Sequence, residues 1–280
     1  MSKNVRKRSY NLNRCIGLVN YGNTCFLNAS LQLLMSMTEV ARLFILNPDS
    51  TIKYTRTFMD YMNTETLMLG PNILYKQYMK LNTRYRGHTQ EDSHEFLTYI
   101  LDNMSESMTG KVKDIFNELV QIDMDQKYGT SITSQKEYIL SLGIPSGKRL
   151  VQLIQEFLKQ KTDGNTDLLL RINKCPKYLV LALKRFSYSS NGGVQKNMQI
   201  VDCPLSFKLD SVNYELKSFI VHSGSANSGH YYSFVRRLKS EDSLEHKWIC
   251  CNDSSVKDVP LSTVHGELCK SYILMYEKSG

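Results

Sequence analysis

Asn20-Tyr21-Gly22-Asn23-Thr24-Cys25 runs straight into Phe26-Leu27-Asn28-Ala29-Ser30-Leu31-Gln32-Leu33-Leu34-Met35-Ser36-Met37, so a turn-forming stretch delivers a cysteine to the start of a helix-like run. A thiol at a helix N-terminus faces unpaired backbone N–H groups and the positive end of the helix dipole, and both favour its thiolate. A free cysteine is ordinarily a small buried hydrophobe. This placement instead makes Cys25 a candidate nucleophile.

Working outward, residues 24–46 read as one or two helices, with Phe26, Leu27, Leu31, Leu34, Met37 (or Met35), Val40, Leu43 and Phe44 near helical spacing. Pro48 and Asp49 end that region. Residues 51–86 are rich in Met and Tyr and read as partly helical. Thr89-Gln90-Glu91-Asp92 fits a capping box ahead of an amphipathic helix that buries Phe96, Leu97, Ile100, Leu101 and Met104. Past Gly110 the pattern changes, and residues 115–142 read as alternating, β-branched segments ending in Tyr138–Leu142. Helical periodicity returns over 149–160. From 178 strands dominate: Tyr178–Leu183 is nearly continuously apolar, as in a strand covered on both faces. Tyr214–Val221, Tyr231–Leu238, Lys247–Cys251 and Ser271–Glu277 are shorter strand candidates. Helices first and strands second predict an α+β architecture.

The 280 residues, 41% hydrophobic, can bury a core of one large domain or two small ones. Apolar stretches are short and broken by charge, so none reaches bilayer length. Residues 1–13 form a basic, polar segment without the apolar core of a secretory signal, and read as a flexible tail. The net charge of +8 is spread along the chain and not interleaved with aromatics, which points away from nucleic-acid and membrane partners. Seven cysteines, an odd number at irregular spacing and without any C-x-x-C pair, indicate free thiols in a reducing compartment, cytosol or nucleus. They indicate neither a metal site nor a cofactor.

A cysteine nucleophile needs a base, and the base needs a third group to hold its tautomer. Of six histidines, His230 stands out, entered through Ser228-Gly229 and followed by the strand Tyr231–Val235. His222, after Phe219-Ile220-Val221, is its rival. His88, His246 and His265 lie in polar, loop-like contexts, and His94 rides on the amphipathic helix as a packing residue. Trp248-Ile249-Cys250-Cys251-Asn252-Asp253 offers Asn252 or Asp253 as the orienting group. The order Cys, His, Asn/Asp is that of papain-type peptidases, although the gap from Cys25 to His230 exceeds the roughly 130–150 residues of papain.

Here the motifs resemble one family. Gly17 through Gln32 is similar to the Cys box of the ubiquitin-specific proteases, and Gln90-Glu91-Asp92-Ser93-His94-Glu95-Phe96-Leu97 to their second box. Tyr178 through Phe186 resembles their Leu-Lys-Arg-Phe strand, and Lys196-Asn197 with Val201-Asp202-Cys203-Pro204 the segment after it. His222-Ser223-Gly224 through Ser228-Gly229-His230-Tyr231-Tyr232 resembles the His box, and Trp248 through Val256 the terminal Asn/Asp box.

The resemblance implies a papain-like cysteine peptidase fold with a helical thumb (about 14–115), then a β-rich palm and short β fingers (about 116–280), together one catalytic domain over 14–280. It implies Cys25 as nucleophile, His230 as general base, Asn252 as the residue orienting it and Asp253 as an auxiliary. Asn20 would supply an oxyanion donor, Asp92 would hold the basic tail of ubiquitin, and Tyr231 would line the channel for its terminal glycines. The implied activity is a thiol deubiquitinase, a monomer acting on ubiquitin and ubiquitinated proteins without a cofactor. Many members carry zinc-binding C-x-x-C knuckles in the fingers, and this sequence has none. The resemblance therefore leaves open a protease for a ubiquitin-like modifier, or a catalytically silent ubiquitin-binding adaptor.

Overall fold

Gln32, Ser30 and Asn28 are polar residues inside a helix, α1 (Cys25–Met35), of which every residue is buried. A helix covered all round lies at the centre of its domain. Its polar side chains are accordingly bonded: Ser30 Oγ donates to Phe26 O at 2.7 Å and Gln32 Nε2 to Ile16 O at 2.7 Å. The computed structural model describes residues 9–47, 54–81, 91–128, 131–161, 167–188, 193–226, 228–240 and 242–279. Thr89, Gln90, His88, Pro48 and Asp49, along with most of the basic tail, lie outside them.

A parallel pair, β1 (Gly17–Leu18) and β2 (Met68–Leu69), and helices α2 (Thr38–Leu46), α3 (Thr55–Met62) and α4 (Asn72–Leu81) belong to the first half with α1. Next comes α5 (Ser93–Ser107), which buries Phe96, Leu97, Ile100, Leu101 and Met104, the face predicted from its spacing. Its cap differs from the expected box. Asp92 is the N-cap, accepting from His94 N at 2.6 Å and Glu95 N at 3.3 Å. A second departure follows: where strand was expected from 115, helix α6 (Gly110–Val120) continues to Val120. Only Phe116 and Val120, one turn apart, are buried on it, which is too sparse a stripe to stand out in the sequence.

Strands β3 (Ile122–Tyr128) and β4 (Ser131–Glu137) follow, then β5 (Ile139–Leu142), helix α7 (Leu150–Leu158), β6 (Lys159–Lys161) and β7 (Asp167–Lys174). β4, β3, β7 and β6, in that order, form an antiparallel four-stranded sheet. Among the described residues no group of three His, Cys, Asp or Glu converges as metal ligands.

The remaining strands are β8 (Tyr178–Leu183), the hairpin β9 (Phe186–Tyr188) with β10 (Val194–Lys196), β11 (Ser206–Leu209), β12 (Val212–Gly224), β13 (Gly229–Leu238), β14 (His246–Asn252) and β15 (Ser255–Val259). Helix α8 (Leu261–Leu268) and β16 (Ser271–Lys278) complete the chain. The main sheet runs β15-β14-β13-β12-β16-β8-β5 with β11 alongside β12, and it is antiparallel except where β5 pairs with β8. All six residues of β8 are buried, as its apolar run predicted. Tyr178, Val180 and Ala182 enter the core beneath the helices, and Leu179, Leu181 and Leu183 the core on the opposite face. Each fully buried large apolar side chain contributes about 1.5–3 kcal/mol, so this strand anchors both faces.

The fold is α+β and papain-like. Helix α1 packs between α5 and strands β12, β13 and β14, which sets its N-terminus against the ends of β13 and β14. No single helix among the described residues is long and apolar enough to cross a membrane.

Candidate active site

Cys25 is the first residue of α1 and is 3% exposed. Thr24, at the N-cap, makes no side-chain bond into the helix. Its hydroxyl instead accepts from Tyr21 N at 2.9 Å and donates to Asn20 Oδ1 at 3.0 Å. Asn20 Oδ1 also accepts from Gly22 N at 2.9 Å and Thr24 N at 3.1 Å. One side-chain carbonyl thus closes the whole loop before the cysteine. The bend needs left-handed backbone at Gly22 (φ 87°) and Asn23 (φ 55°), residue types that tolerate it.

Because Asn20 Oδ1 is occupied by the loop, its amide nitrogen points out of it. Nδ2 donates to Asp253 Oδ2 at 2.8 Å, and the amide carries a second N–H. Asp253 sits in the turn between β14 and β15 with φ 49°. Its other oxygen, Oδ1, accepts from Asn28 Nδ2 at 2.8 Å, and its backbone carbonyl from Leu18 N at 2.8 Å. The two loops meet so closely that a Cβ on Gly17 would lie 2.5 Å from Ser254 O.

His230 opens β13, and its Nε2 lies 2.6 Å from Asn252 Oδ1 at the end of β14. Cys25 is the first of the neighbours acting on the imidazole. Asp253 Oδ2 stands 3.9 Å from His230 Nε2. The bond to Cys25, opposed by desolvation, together with the bond to Asn252 and the charges of Cys25 and Asp253, pushes the His230 pKa up to about 9. The ring therefore holds a proton through neutral pH.

His222, the rival base, pairs with Tyr231 across β12 and β13 and packs edge-on against Phe186 at 5.1 Å. Burial, with the charges of Lys196 and His230, pushes its pKa down to about 4. Gly229 has no room for a Cβ because the His222 ring occupies the place. His94 hydrogen-bonds Ser141 Oγ at 3.1 Å.

Asp92 and Tyr231 share a cleft of about 470 Å³ with Glu91, Glu95, His222 and Tyr272. The Asp92 carboxylate, besides capping α5, accepts the Tyr272 hydroxyl at 2.7 Å. Tyr231 is 4% exposed, and burial, with the charge of Asp92, holds its hydroxyl protonated. Two members of this arrangement escaped the sequence reading. Tyr272 looks like any strand aromatic. Asn28 carries only a weak signal, one of three polar residues, with Ser30 and Gln32, on a buried helix.

A helix-borne thiol against a sheet-borne imidazole, with an amide behind it, is the arrangement of a papain-like thiol hydrolase. The ubiquitin carboxyl-terminal hydrolase family model matches residues 16–276, and the chain belongs to that family. It is similar to ubiquitin carboxyl-terminal hydrolase 25 of Arabidopsis thaliana, 27% identical over 94% of this chain and 47% of the relative. It is also similar to Usp2 of Drosophila melanogaster, 24% identical over 94% of this chain and 35% of the relative. The chain thus spans about half or less of the length of these two relatives. Among solved structures, the SAGA DUB module of Ubp8, Sgf11, Sus1 and Sgf73 bound to monoubiquitin matches with a TM-score of 0.82 at 22% identity, covering 99% of this chain and 72% of that chain. The same module bound to ubiquitin aldehyde matches with a TM-score of 0.78.

Proposed function

We propose that this chain is a thiol deubiquitinase that hydrolyses the isopeptide bond between the terminal glycine of ubiquitin and a substrate lysine. The observation that carries the reading is His230, 2.6 Å from Asn252 Oδ1 and influenced first by Cys25 at the start of α1. Family membership and the ubiquitin-bound neighbours support it.

Cys25 Sγ, its proton transferred to His230, attacks the glycine carbonyl, and the oxyanion develops at the N-terminus of α1, beside the second N–H of Asn20. His230, protonated, donates to the departing lysine amine, which leaves a thioester on Cys25. The ring then takes a proton from water, whose attack expels Cys25 Sγ, restores the sulfur–imidazolium pair and releases the glycine acid, which gives its proton to solvent. Asn252 holds the imidazole plane throughout, and Asp253 adds negative charge beside it. Asp92, with Glu91 and Glu95, lines the cleft with carboxylates suited to a basic tail, and Tyr231 lines the same cleft. Residues 14–280 act as one catalytic domain and a monomer, in the cytosol or nucleus, without a cofactor.

The test is cleavage of a lysine peptide carrying isopeptide-linked ubiquitin, run beside matched conjugates of ubiquitin-like modifiers. Release of free ubiquitin by the wild type, and none by Cys25→Ser, supports the reading. Cleavage of a ubiquitin-like conjugate alone would replace the modifier and keep the chemistry. Tight binding of ubiquitin with no cleavage would make the chain an adaptor.

A further inference from the structure

Asn28 is 2% exposed, one turn beyond Cys25 on the same helix, and lies on the same side of it. A buried primary amide is costly unless its hydrogens are taken up. Both are: Nδ2 donates to Val19 O at 3.3 Å and to Asp253 Oδ1 at 2.8 Å. Its Oδ1, by contrast, is buried without a partner. The amide is turned donor-first toward a carboxylate at the expense of its own acceptor, an orientation that stabilisation of the helix alone does not call for.

The far oxygen of that carboxylate is the one that meets the reaction machinery. Asp253 Oδ2 accepts from Asn20 Nδ2 at 2.8 Å and stands 3.9 Å from His230 Nε2. Asp253 occupies left-handed backbone, φ 49°, in the turn between β14 and β15. Its two side-chain anchors sit on opposite sides: Asn20 in the loop before the nucleophile and Asn28 inside the helix after it.

We propose that Asn28 is a positioning residue: it fixes the Asp253 carboxylate from within α1, and through it the amide of Asn20 and the electrostatic setting of His230. The inference rests on the proposed hydrolase chemistry for its kinetic consequence, but the placement of Asp253 is readable without turnover. The catalytic helix thereby carries both the thiol and the reference point for the loop opposite it. Asn28 touches neither substrate nor imidazole. An ionised Asp253 between two amide donors is bound more strongly than a neutral acceptor would be.

The groups facing His230 are Cys25 from α1, Asn252 at the end of β14 and Asp253 in the turn after it, His222 from β12, and Tyr232, whose ring stacks at 6.4 Å. Of these, Asp253 is the one Asn28 holds. The experiment is a double-mutant cycle of Asn28→Ala and Asp253→Asn, read by an NMR titration of His230 and by steady-state cleavage of a ubiquitin C-terminal fluorogenic amide. Asn28→Ala is expected to move the His230 titration to lower pH and to lower kcat about 10-fold, the size of one lost hydrogen bond to a charged group, with KM nearly unchanged. Added to Asp253→Asn, it should change neither further. Asn28→Asp, which sets two carboxylates together, should be worse than alanine, while Asn28→Gln is expected to restore part of kcat.

An unmoved His230 titration in a folded Asn28→Ala variant would overturn the proposal, as would full additivity with Asp253→Asn. A wild type that shows the titration coupling but cleaves nothing would sink the proposed activity and leave the placement role standing.

Discussion

Asn20 and Asp253 are joined across the two loops that flank the nucleophile, Nδ2 to Oδ2 at 2.8 Å. That bond orients the one amide whose remaining N–H can face the oxyanion, since the carbonyl end of Asn20 is consumed by Gly22 and Thr24. Removing a comparable oxyanion donor costs roughly 10²–10³ in kcat. Asn20→Ala should therefore lose turnover on about that scale, measured on a ubiquitin amide, with KM little changed.

The pH profile follows from His230. Its pKa, raised to about 9 chiefly by the bond to Cys25, places the alkaline fall of kcat near that pH, where the acid that protonates the leaving amine is lost. Asn252→Ala removes the second supporting bond and should move the fall to lower pH. A folded pKa above the unfolded 6.5 means that this group's stabilisation is complete below pH 6.5 and disappears as pH rises through 9. Thermal unfolding across pH 6–10 reads that loss directly.

His222 acts with the opposite sign. Its pKa is depressed to about 4, so the stability it contributes is complete above pH 6.5 and is lost as pH falls toward 4. His222→Phe should flatten that acid limb in a melting-temperature profile. With His230 as the proposed base and His222 lining the cleft, the variant should keep the alkaline limb of kcat.

Asp92 caps α5, and the substrate-binding role proposed for it can be tested apart from that. Asp92→Ala loses the α5 cap, worth about 1 kcal/mol, together with the negative charge of the cleft. Asp92→Asn keeps a capping oxygen and loses the charge. Both should raise KM for ubiquitin, but the alanine variant alone should lower the melting temperature by the full cap value. Equal KM values for Asp92→Asn and the wild type would remove Asp92 from substrate binding.

Leu181 lies in β8 at 0% exposure, in the core opposite the helices. Leu181→Ala should cost about 2–5 kcal/mol in urea unfolding, with the fluorescent probe reaction at Cys25 unchanged in the fraction that stays folded.

The sequence was most legible where local physics and pattern agreed. Cys25 at a helix start, the buried face of α5 and the two-sided burial of β8 all follow from spacing alone. Helix α6 was not legible because only Phe116 and Val120 face the core. Strand β15 and helix α8 were missed for the same reason: β15 is an edge strand with no fully buried residue, and α8 buries only Val264 and Leu268. Within the site, the motifs point to Cys25, His230 and Asn252 although they lie far apart in the chain, while the clasp of Asn28 on Asp253 and of Tyr272 on Asp92 depends on tertiary packing. His222 and His230 could be ranked from sequence, but their opposite electrostatic settings arise from Lys196, Cys25 and Asn252, which only the fold brings near.

The most direct test of the central claim is mass spectrometry of the chain after incubation with ubiquitin carrying a C-terminal electrophile. The account predicts a single covalent adduct, mapped to Cys25 among the seven cysteines, lost in Cys25→Ser and slowed in His230→Ala. No adduct, or one carried by another cysteine, would contradict it.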